Sequence, residues 1–327
     1  MPQNARQVKI ELKYNSHDVS KDFSKYLQSI TYDDYEEEQS DELVVRLRDN
    51  EKLFQNDWYP QKGAKLSCKV FFKGTKEVLN CGTFTIDEIS SDFSNSGDVL
   101  EIKALAATIN SPVRTTNTRF FEKITLNKIA QYFGNIYGFK VAGEQGNVYI
   151  NRVNQTQESD LAFLKRISKL YGYIFKITDG LLTFTSTGSL TDTDVLFTVG
   201  KEDFSSVSLS DSGAKIYKAC SVKYFNAKTK KLCTYTAKRD KGTDTLKLNL
   251  KCASKEEAKL KAEANLKAGS KAVKGSITLE KTNTKFFAGV NFQLKDIGIL
   301  SGKYHIKHST HDISSDAWTI TGDIEKC

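Results

Sequence analysis

The sequence predicts an α+β protein that is mainly β, with strand-rich regions at both ends and a small α/β unit between them. Short segments near both ends alternate apolar and polar residues, and two segments in the middle have helical spacing. Aromatic residues, which favour strands, make up 11% of the 327 residues. Because a single hydrophobic core stops growing near about 250–300 residues, we expect more than one domain.

The first predicted domain, residues 1–112, is a series of short strands. In Gln7–Tyr14, the residues Val8, Ile10 and Leu12 fall on one face, which is the two-residue period of a strand. Similar segments follow, separated by turn-forming residues, a pattern typical of a β-barrel or β-sandwich. The further predicted strands are Leu43–Arg48, Lys65–Phe72, Val78–Ile86 and Val99–Ala104.

The second predicted domain, residues 113–195, carries two amphipathic helices. Thr125 and Ser159 are helix-capping residue types, and Gly138 and Gly172 are typical helix ends. Apolar residues recur at helical spacing between each cap and its glycine, so we expect both helices to share one core. The expected apolar faces are Leu126, Ile129, Ala130, Phe133 and Ile136 in the first helix and Leu161, Leu164, Ile167 and Leu170 in the second.

The third predicted domain, residues 196–327, returns to strands and contains one inserted helix, 254–269. Ser254 and Glu257 form a capping box at its start. Acid–lysine pairs four residues apart, such as Glu257 with Lys261, predict that the helix lysines lie on an exposed face. The predicted strands are Ser276–Glu280, Val290–Leu294, Tyr304–His308 and Trp318–Ile324.

The formal net charge of +8 is unevenly distributed. Seven acids and no base lie within residues 32–42, whereas nineteen bases and six acids lie within 215–285. Basic regions occur on nucleic-acid-binding and membrane-binding surfaces, but also on ordinary solvated ones. Lysines adjoin aromatic residues at Lys223–Phe225 and Lys285–Phe287, which would suit stacking of bases or a strand in a core. We favour the solvated surface and the core.

The sequence contains no recognised catalytic motif: GxGxxG, the phosphate loop, HExxH and GxSxG are all absent. His305, His308 and His311 are close in sequence, but in an extended strand His305 and His311 would share a face about 20 Å apart, too far for one metal ion. Acid pairs such as Asp33–Asp34 and Asp192/Asp194 lack the fixed spacing that glycoside hydrolysis needs. We therefore predict no catalytic, cofactor-binding or metal-binding residues, and no cofactor.

The sequence also lacks targeting signals. No apolar run approaches the roughly 18 residues of a membrane-spanning helix, and the N-terminal MPQNARQVKIEL has no signal-peptide segment. The six cysteines include no CxxC pair, so we expect reduced thiols in a protein made in the cytoplasm.

The cysteines predict a duplication. Cys68 and Cys81 have the same separation as Cys220 and Cys233, and each pair brackets a probable two-residue turn. We expect the cysteines of each pair to face each other across a hairpin, and the two hairpins to match in two similar β domains. The turns would lie at Gly74–Thr75 and Asn226–Ala227.

An ordered set of short motifs runs from about residue 30 to residue 325. The best marked is Gln155–Leu164 (QTQESDLAFL), continued by Arg166 and Tyr171-Gly172. The others are Asp41–Asp49, Trp58, Lys62-Gly63, Gly82–Asp87, the 254–269 helix, Ala288-Gly289, Gly302–Tyr304 and His311–Ser314. In this order the motifs resemble the late control protein D family, the baseplate hub of contractile-tailed phages and related injection machines.

The resemblance implies two similar β-barrel (tube-like) domains on either side of the small α/β domain. It further implies a homotrimer whose six barrels form a ring, with the α/β domain outside the ring. Such a trimer is a structural adaptor rather than an enzyme, and it joins a hexameric tail tube to a trimeric spike.

The partners implied are the tail tube protein, the spike protein and other baseplate components, with no small-molecule substrate and no membrane span. The chain would be made in the bacterial cytoplasm without a signal peptide and assembled into a phage tail or tail-like particle. A phage, a tail-like bacteriocin and an injection system all fit. The alternative functions are a tail-associated cell-wall hydrolase and a nucleic-acid-binding module.

Overall fold

Strands account for most of the protein in a computed structural model, and the predicted α+β, mainly β class is confirmed. Four hydrophobic cores divide the described chain into two β units, an α/β unit and a smaller insert unit. None of the described helices is long and apolar enough to cross a membrane. The structure describes residues 8–37, 40–72, 77–106, 115–143, 148–178, 180–212, 216–226, 229–240, 242–252, 254–268, 273–314 and 317–327.

The N-terminal β unit follows the predicted strands closely. Its sheet runs in the order β2-β1-β5-β6-β7-β4-β3, and alternate residues such as Leu43, Val45 and Leu47 are fully buried in its core. Its elements are β1 (Val8–Tyr14), β2 (His17–Asp18), α1 (Ser20–Ser24), β3 (Leu27–Tyr35), β4 (Glu42–Arg48), β5 (Lys65–Phe72), β6 (Val78–Asp92) and β7 (Val99–Leu105).

The α/β unit confirms both predicted helices and their caps. The side chains of Thr125 and Ser159 accept hydrogen bonds from the first turns, and Gly138 and Gly172 end the helices in the left-handed conformation. The shared core is also confirmed, although Ile136 is exposed, and Leu161 and Leu170 are only partly buried. The elements are β8 (Thr116–Thr125), α2 (Leu126–Tyr137), β9 (Lys140–Ala142), β10 (Tyr149–Ser159), α3 (Asp160–Tyr171), β11 (Tyr173–Thr178), β12 (Leu181–Ser186) and α4 (Thr187–Thr191).

The C-terminal β unit continues the sheet of the N-terminal one. Its strands run in the order β13-β19-β20-β21-β18-β14, and β20 pairs with β3, so the large sheet has 13 strands. Its elements are β13 (Val195–Val199), a 3₁₀ turn (Lys201–Asp203), β14 (Phe204–Asp211), β18 (Val273–Leu279), β19 (Asn291–Leu294), a 3₁₀ turn (Gly298–Leu300), β20 (Gly302–Ser314) and β21 (Trp318–Lys326). Strand pairing does not close either unit into a barrel within the described residues.

The insert unit lies in the chain between β14 and β18. It consists of a three-stranded sheet, β16-β15-β17, with the helix α5 packed on it. The helix predicted at 254–269 spans Lys255–Ala268 and is capped by Ser254, but it packs on this separate sheet rather than on the large one. The elements are β15 (Tyr217–Asn226), β16 (Lys231–Lys238), β17 (Asp244–Cys252) and α5 (Lys255–Ala268).

The prediction that the α5 lysines lie on an exposed face is wrong for Lys261. Its ammonium is 2.6 Å from Glu257 Oε1, and both residues are buried. The hydroxyl of Tyr171, at the end of α3, donates to the same carboxylate oxygen. The hydrogen bond from Tyr171 to Glu257 therefore joins the α/β unit to the insert unit. A buried ion pair needs such additional hydrogen bonds to offset the loss of water around its charges.

The predicted cysteine alignment is wrong for the second pair and for the match between the two hairpins, whereas Cys68 and Cys81 do contact each other across the first hairpin. Cys220 lies opposite Ala237 and Cys233 opposite Tyr224, because more than two residues separate Asn226 from Lys231 and the loop length sets the register. Cys68 lies opposite Gly82, next to Cys81 at a register shift. The first hairpin belongs to the large sheet and the second to the insert unit, so they do not match. Their predicted turns, Gly74–Thr75 and Asn226–Ala227, fall at least partly outside the described residues.

The duplication is instead visible in the strand order. When the six long strands of each β unit are numbered along the chain, both sheets run first, fourth, fifth, sixth, third, second. All neighbours within both units are antiparallel except the first pair of the C-terminal unit, where β13 and β19 are parallel. The two units therefore share one strand order, and only the first strand runs in a different direction.

Candidate assembly interface

One surface cleft among the described residues lies beside Phe23, Trp58 and Tyr59, and another lies beside Lys165 and Arg166; neither of these is lined by a histidine or a cysteine. No group of three or more His, Cys, Asp or Glu side chains in the described ranges is placed to hold a metal ion. The feature that stands out is the junction between the β units.

The junction is a strand pair, β3 with β20. Seven residue pairs run antiparallel from His308 opposite Tyr35 to Ser314 opposite Ser29. Near its end Ile313 lies opposite Ile30, and both are completely buried in the core of the N-terminal unit. One β unit thus supplies a side chain to the core of the next, which makes the junction an interface rather than a linker.

Irregularities of the sheet recur at matching places in the two units. In β6 the register shifts between Ile86 and Glu88, and in β20 it shifts between Ile306 and His308. In β3 it shifts between Leu27 and Ser29, and in β14 between Phe204 and Ser206. A bulge adds one residue at a particular position of a strand. Because both bulges fall at matching positions, each residue of these strands in one unit can be assigned an equivalent residue in the other.

The equivalence extends to side chains at the start of β20. Gly82-Thr83-Phe84-Thr85-Ile86 of β6 matches Gly302-Lys303-Tyr304-His305-Ile306 of β20. Both glycines have positive φ, and the aromatic and isoleucine residues of both segments are buried. The pattern Gly-x-aromatic-x-Ile is the sequence signal that could have identified the repeat.

Buried charges lie beside the junction, at the connection from β3 to β4. Lys176 of β11 places its ammonium 2.6 Å from Asp34 Oδ1 and 2.9 Å from Asp41 Oδ1, and Thr178 donates to Asp41 Oδ2. Asp34 also accepts a hydrogen bond from the backbone of Ala288. Burial and the charge of Asp34 raise the pKa of Asp41 to about 6, despite Lys176. This cluster ties three units together.

A second polar cluster crosses the junction at Glu36. His305 Nε2 lies 2.5 Å from Glu36 Oε1, its Nδ1 lies 2.7 Å from Asn291 Oδ1, and Lys307 pairs with both Glu36 and Glu37. Burial alone would raise the pKa of Glu36, but His305 and Lys307 outweigh it and hold this pKa below its ordinary value. Lys307 therefore pairs with two neighbouring acids of the acidic run at the junction.

The three clustered histidines have separate roles. The bulge after Ile306 interrupts the alternation, so the assumption that His305 and His311 share one face is wrong. His308 stacks on the ring of Tyr35 and contacts the Asp33 carboxylate. Burial alone would lower the pKa of His308, but the Asp33 carboxylate outweighs burial and raises this pKa above its ordinary value. His311 is buried, which lowers its pKa, and it hydrogen-bonds the backbone of Phe286 and the indole of Trp318.

The best-marked motif, Gln155–Leu164, builds the α/β unit. The carboxylate of Asp160 is fully buried and accepts hydrogen bonds from Arg119, Gln155 and Tyr137. These contacts fasten the start of α3 to β8, β10 and the end of α2. Asp160 therefore does more than begin a helix, because its contacts hold three elements of the unit together.

The aromatic residues beside lysines divide between core and surface. Phe286 is fully buried against Phe197 and Phe292, as predicted for a core residue. Phe225 and Phe287 are exposed. Phe93, which follows β6 and belongs to none of the sequence motifs, is 63% exposed.

Known proteins resemble this chain in sequence and fold, although no protein-family model matches it. It is 28% identical over 180 residues to the probable baseplate hub protein of Escherichia phage 186, a match that covers 54% of this chain and 45% of that protein. The chain thus matches about half the length of this curated relative.

Two solved structures share the fold. The 43 kDa tail protein of prophage MuSo2 from Shewanella oneidensis has a TM-score of 0.70 at 13% identity, over 97% of this chain and 98% of that chain. The E. coli c3393 protein, described as a component of the type VI secretion system, has a TM-score of 0.56 at 12% identity, over 92% and 74%. The chain has the fold of phage tail proteins. In sequence it is similar to the probable baseplate hub proteins of Escherichia phages 186 and P2, which supports the resemblance seen in its motifs.

Proposed function

We propose that this chain is a structural baseplate hub protein that forms a homotrimer and joins a tail tube to a spike. The observation that carries the proposal is the internal repeat: each chain has two β units with the same strand order and the same bulges. Three chains then offer six equivalent β units on one side. That arrangement would match a sixfold tube while the trimer as a whole keeps the threefold symmetry of a spike.

The junction supports the same proposal. A strand pair with a buried Ile30–Ile313 contact sets the angle between the two β units of a chain, and the charge cluster around Lys176 fixes the α/β unit against them. A rigid arrangement of two equivalent units is what an adaptor requires, because each unit must meet its tube subunit in the same orientation. The buried side chains at the junction serve packing and charge pairing, which favours a structural role over catalysis.

We further propose that the partners are the tube protein, the spike protein and other baseplate components, and that the chain functions inside an assembled phage tail or tail-like particle. The name of the phage 186 relative supports the tail setting, and the secretion-system neighbour shares the fold.

The test is reconstitution with the tube and spike proteins encoded in the same genome. We expect an affinity-tagged chain to capture both proteins, and native mass spectrometry to give three copies of the chain in the complex. Capture of neither protein would contradict the proposal. Release of peptidoglycan fragments by the purified chain would instead support the hydrolase, and DNA binding that weakens steeply with salt would support the nucleic-acid module.

A further inference from the structure

The open edge of the C-terminal β unit is the starting point. In the part of the chain that the structure describes, β14 pairs with β18 alone, while its equivalent β3 pairs on both sides. The consequence is visible in the cores: Ile30 of β3 is fully buried, but its equivalent in β14, Val207, is only partly buried. An edge strand with unpaired backbone groups is a template for another strand.

A second unpaired edge exists at the end of β6. The equivalent segment of β20, from His308 to Ser314, pairs with β3. In β6 this segment is Glu88–Asp92, which within the described residues pairs only with β7. The residue equivalent to the buried Ile313 is Phe93, just after β6, and it is 63% exposed. A large aromatic side chain therefore lies in solvent where the repeat places a core residue.

We infer that β6 of one copy pairs antiparallel with β14 of a neighbouring copy and inserts Phe93 into that copy's C-terminal core. The inference rests on the proposed hub function and names the surface through which its copies assemble. The β3–β20 junction within the chain predicts the register of this contact between copies. The matched bulges assign each residue of β20 an equivalent in β6, and each residue of β3 an equivalent in β14. Phe93 faces Val207, Ser90 faces Ser210, and Asp92 faces Ser208.

This register is chemically compatible. The acids Glu88 and Asp92 face the serines Ser212 and Ser208, so no like charges oppose each other. Phe93 would place an aromatic ring beside Val207. Val207 lies at the edge of the C-terminal core and is only partly buried by its own chain. The contact joins two different surfaces of the same chain, and such head-to-tail contacts generate a ring when the rotation closes.

Disulfide cross-linking tests the register. Oxidation of the double variant Ser90→Cys/Ser210→Cys should link chains into dimers and trimers, because directly opposed Cβ atoms lie about 4.5–5.5 Å apart. The control is Ser90→Cys/Ser206→Cys, whose second position is four residues away along the same exposed strand. It should give no more cross-linked product than the parent chain with its native cysteines. The cross-linking is done on the full chain with the tube and spike proteins present.

The outcomes separate this interface from the hub function. A trimer that captures tube and spike but shows no register-specific cross-link overturns the interface and leaves the hub function intact. A chain that stays monomeric under all these conditions overturns both.

Substitution of Phe93 gives an independent measurement. Phe93→Asp should weaken self-association at least tenfold, while Phe93→Leu should largely retain it, since buried aromatic anchors dominate interfaces. Phe225→Asp is the matched control, because Phe225 is an exposed aromatic residue on β15, which belongs to the separate sheet of the insert unit. The monomers of all three variants should fold normally. Equal association by Phe93→Asp and the parent chain would overturn the inference.

Discussion

The two β units of this chain share a strand order and two bulges. Their cores nevertheless contain different side chains at equivalent positions. The N-terminal unit has Leu43 in β4 and Ile102 in the adjacent β7. At the equivalent positions of β18 and β21 the C-terminal unit has Gly275 and Gly322. A Cβ atom on Gly322 would lie 2.5 Å from the ring of Phe286, so that ring occupies the missing volume. The comparison teaches that a packed core needs the volume filled, not the same residue at each position.

A second difference lies in the connection from the second to the third strand. In the N-terminal unit it is the short acidic segment between β3 and β4, which carries Asp41 and Glu36. In the C-terminal unit the whole insert unit occupies this place. Strand pairing constrains the repeat, whereas a surface connection tolerates insertions. The two regions thus differ most where the backbone is least constrained.

The largest effect should come from truncating the shared aromatic residue. Phe84 and Tyr304 occupy equivalent buried positions, so Phe84→Ala and Tyr304→Ala should each lower the free energy of unfolding by about 3–5 kcal/mol. Urea denaturation measures this. Tyr304→Phe is the control, because it removes only the hydrogen bond from the hydroxyl to the Leu300 carbonyl and should cost about 0.5–1.5 kcal/mol. A large loss in one unit and none in the other would contradict their equivalence.

A smaller effect is expected when the two units are made alike at one position. Gly322→Ile installs the residue of the N-terminal unit, and the clash with Phe286 should cost about 1–3 kcal/mol. Phe286→Ala should then cost less in the Gly322→Ile background than in the parent chain, and a double-mutant cycle on thermal or urea stability measures this coupling. Strictly additive effects would show that Phe286 does not fill the space above Gly322.

A pH-dependent effect of similar size concerns the acidic connection that the C-terminal unit lacks. The pKa of Asp41 is raised to about 6 in the folded protein, so folding favours its protonated form. Its contribution to stability is present below its unfolded pKa and is lost as the pH rises from about 4 to about 6. The loss is at most about 1.4 kcal/mol per pH unit, the limit for one proton. Asp41→Asn should remove this slope in urea titrations at several pH values, and a slope identical to that of the parent chain would refute the assignment.

The sequence predicts local structure well because its causes are local. The caps Thr125 and Ser159, the stops Gly138 and Gly172, and the alternation in β4 all act within a few residues, and each appears as predicted. The cysteine alignment fails because it assumed a two-residue turn. The alternation of the clustered histidines fails because a bulge intervenes, and bulges depend on the neighbouring strand.

The candidate interface was harder to predict, because it depends on which strands lie at an edge. Nothing in the sequence around Phe93 distinguishes an exposed residue from a core one. Its equivalence with Ile313 emerges only when the sheets are compared strand by strand. One sequence signal was available: Gly82-Thr83-Phe84 and Gly302-Lys303-Tyr304 mark the same strand of the two units.

The most direct test of the central claim, that two equivalent β units per chain build a six-unit ring, is the cryo-electron microscopy structure of the assembled oligomer. We predict three chains whose six β units superpose on one another by successive sixths of a turn, with β14 of each copy beside β6 of the next. A dimer, an open filament, or a trimer whose N-terminal and C-terminal β units lie in different layers would contradict it.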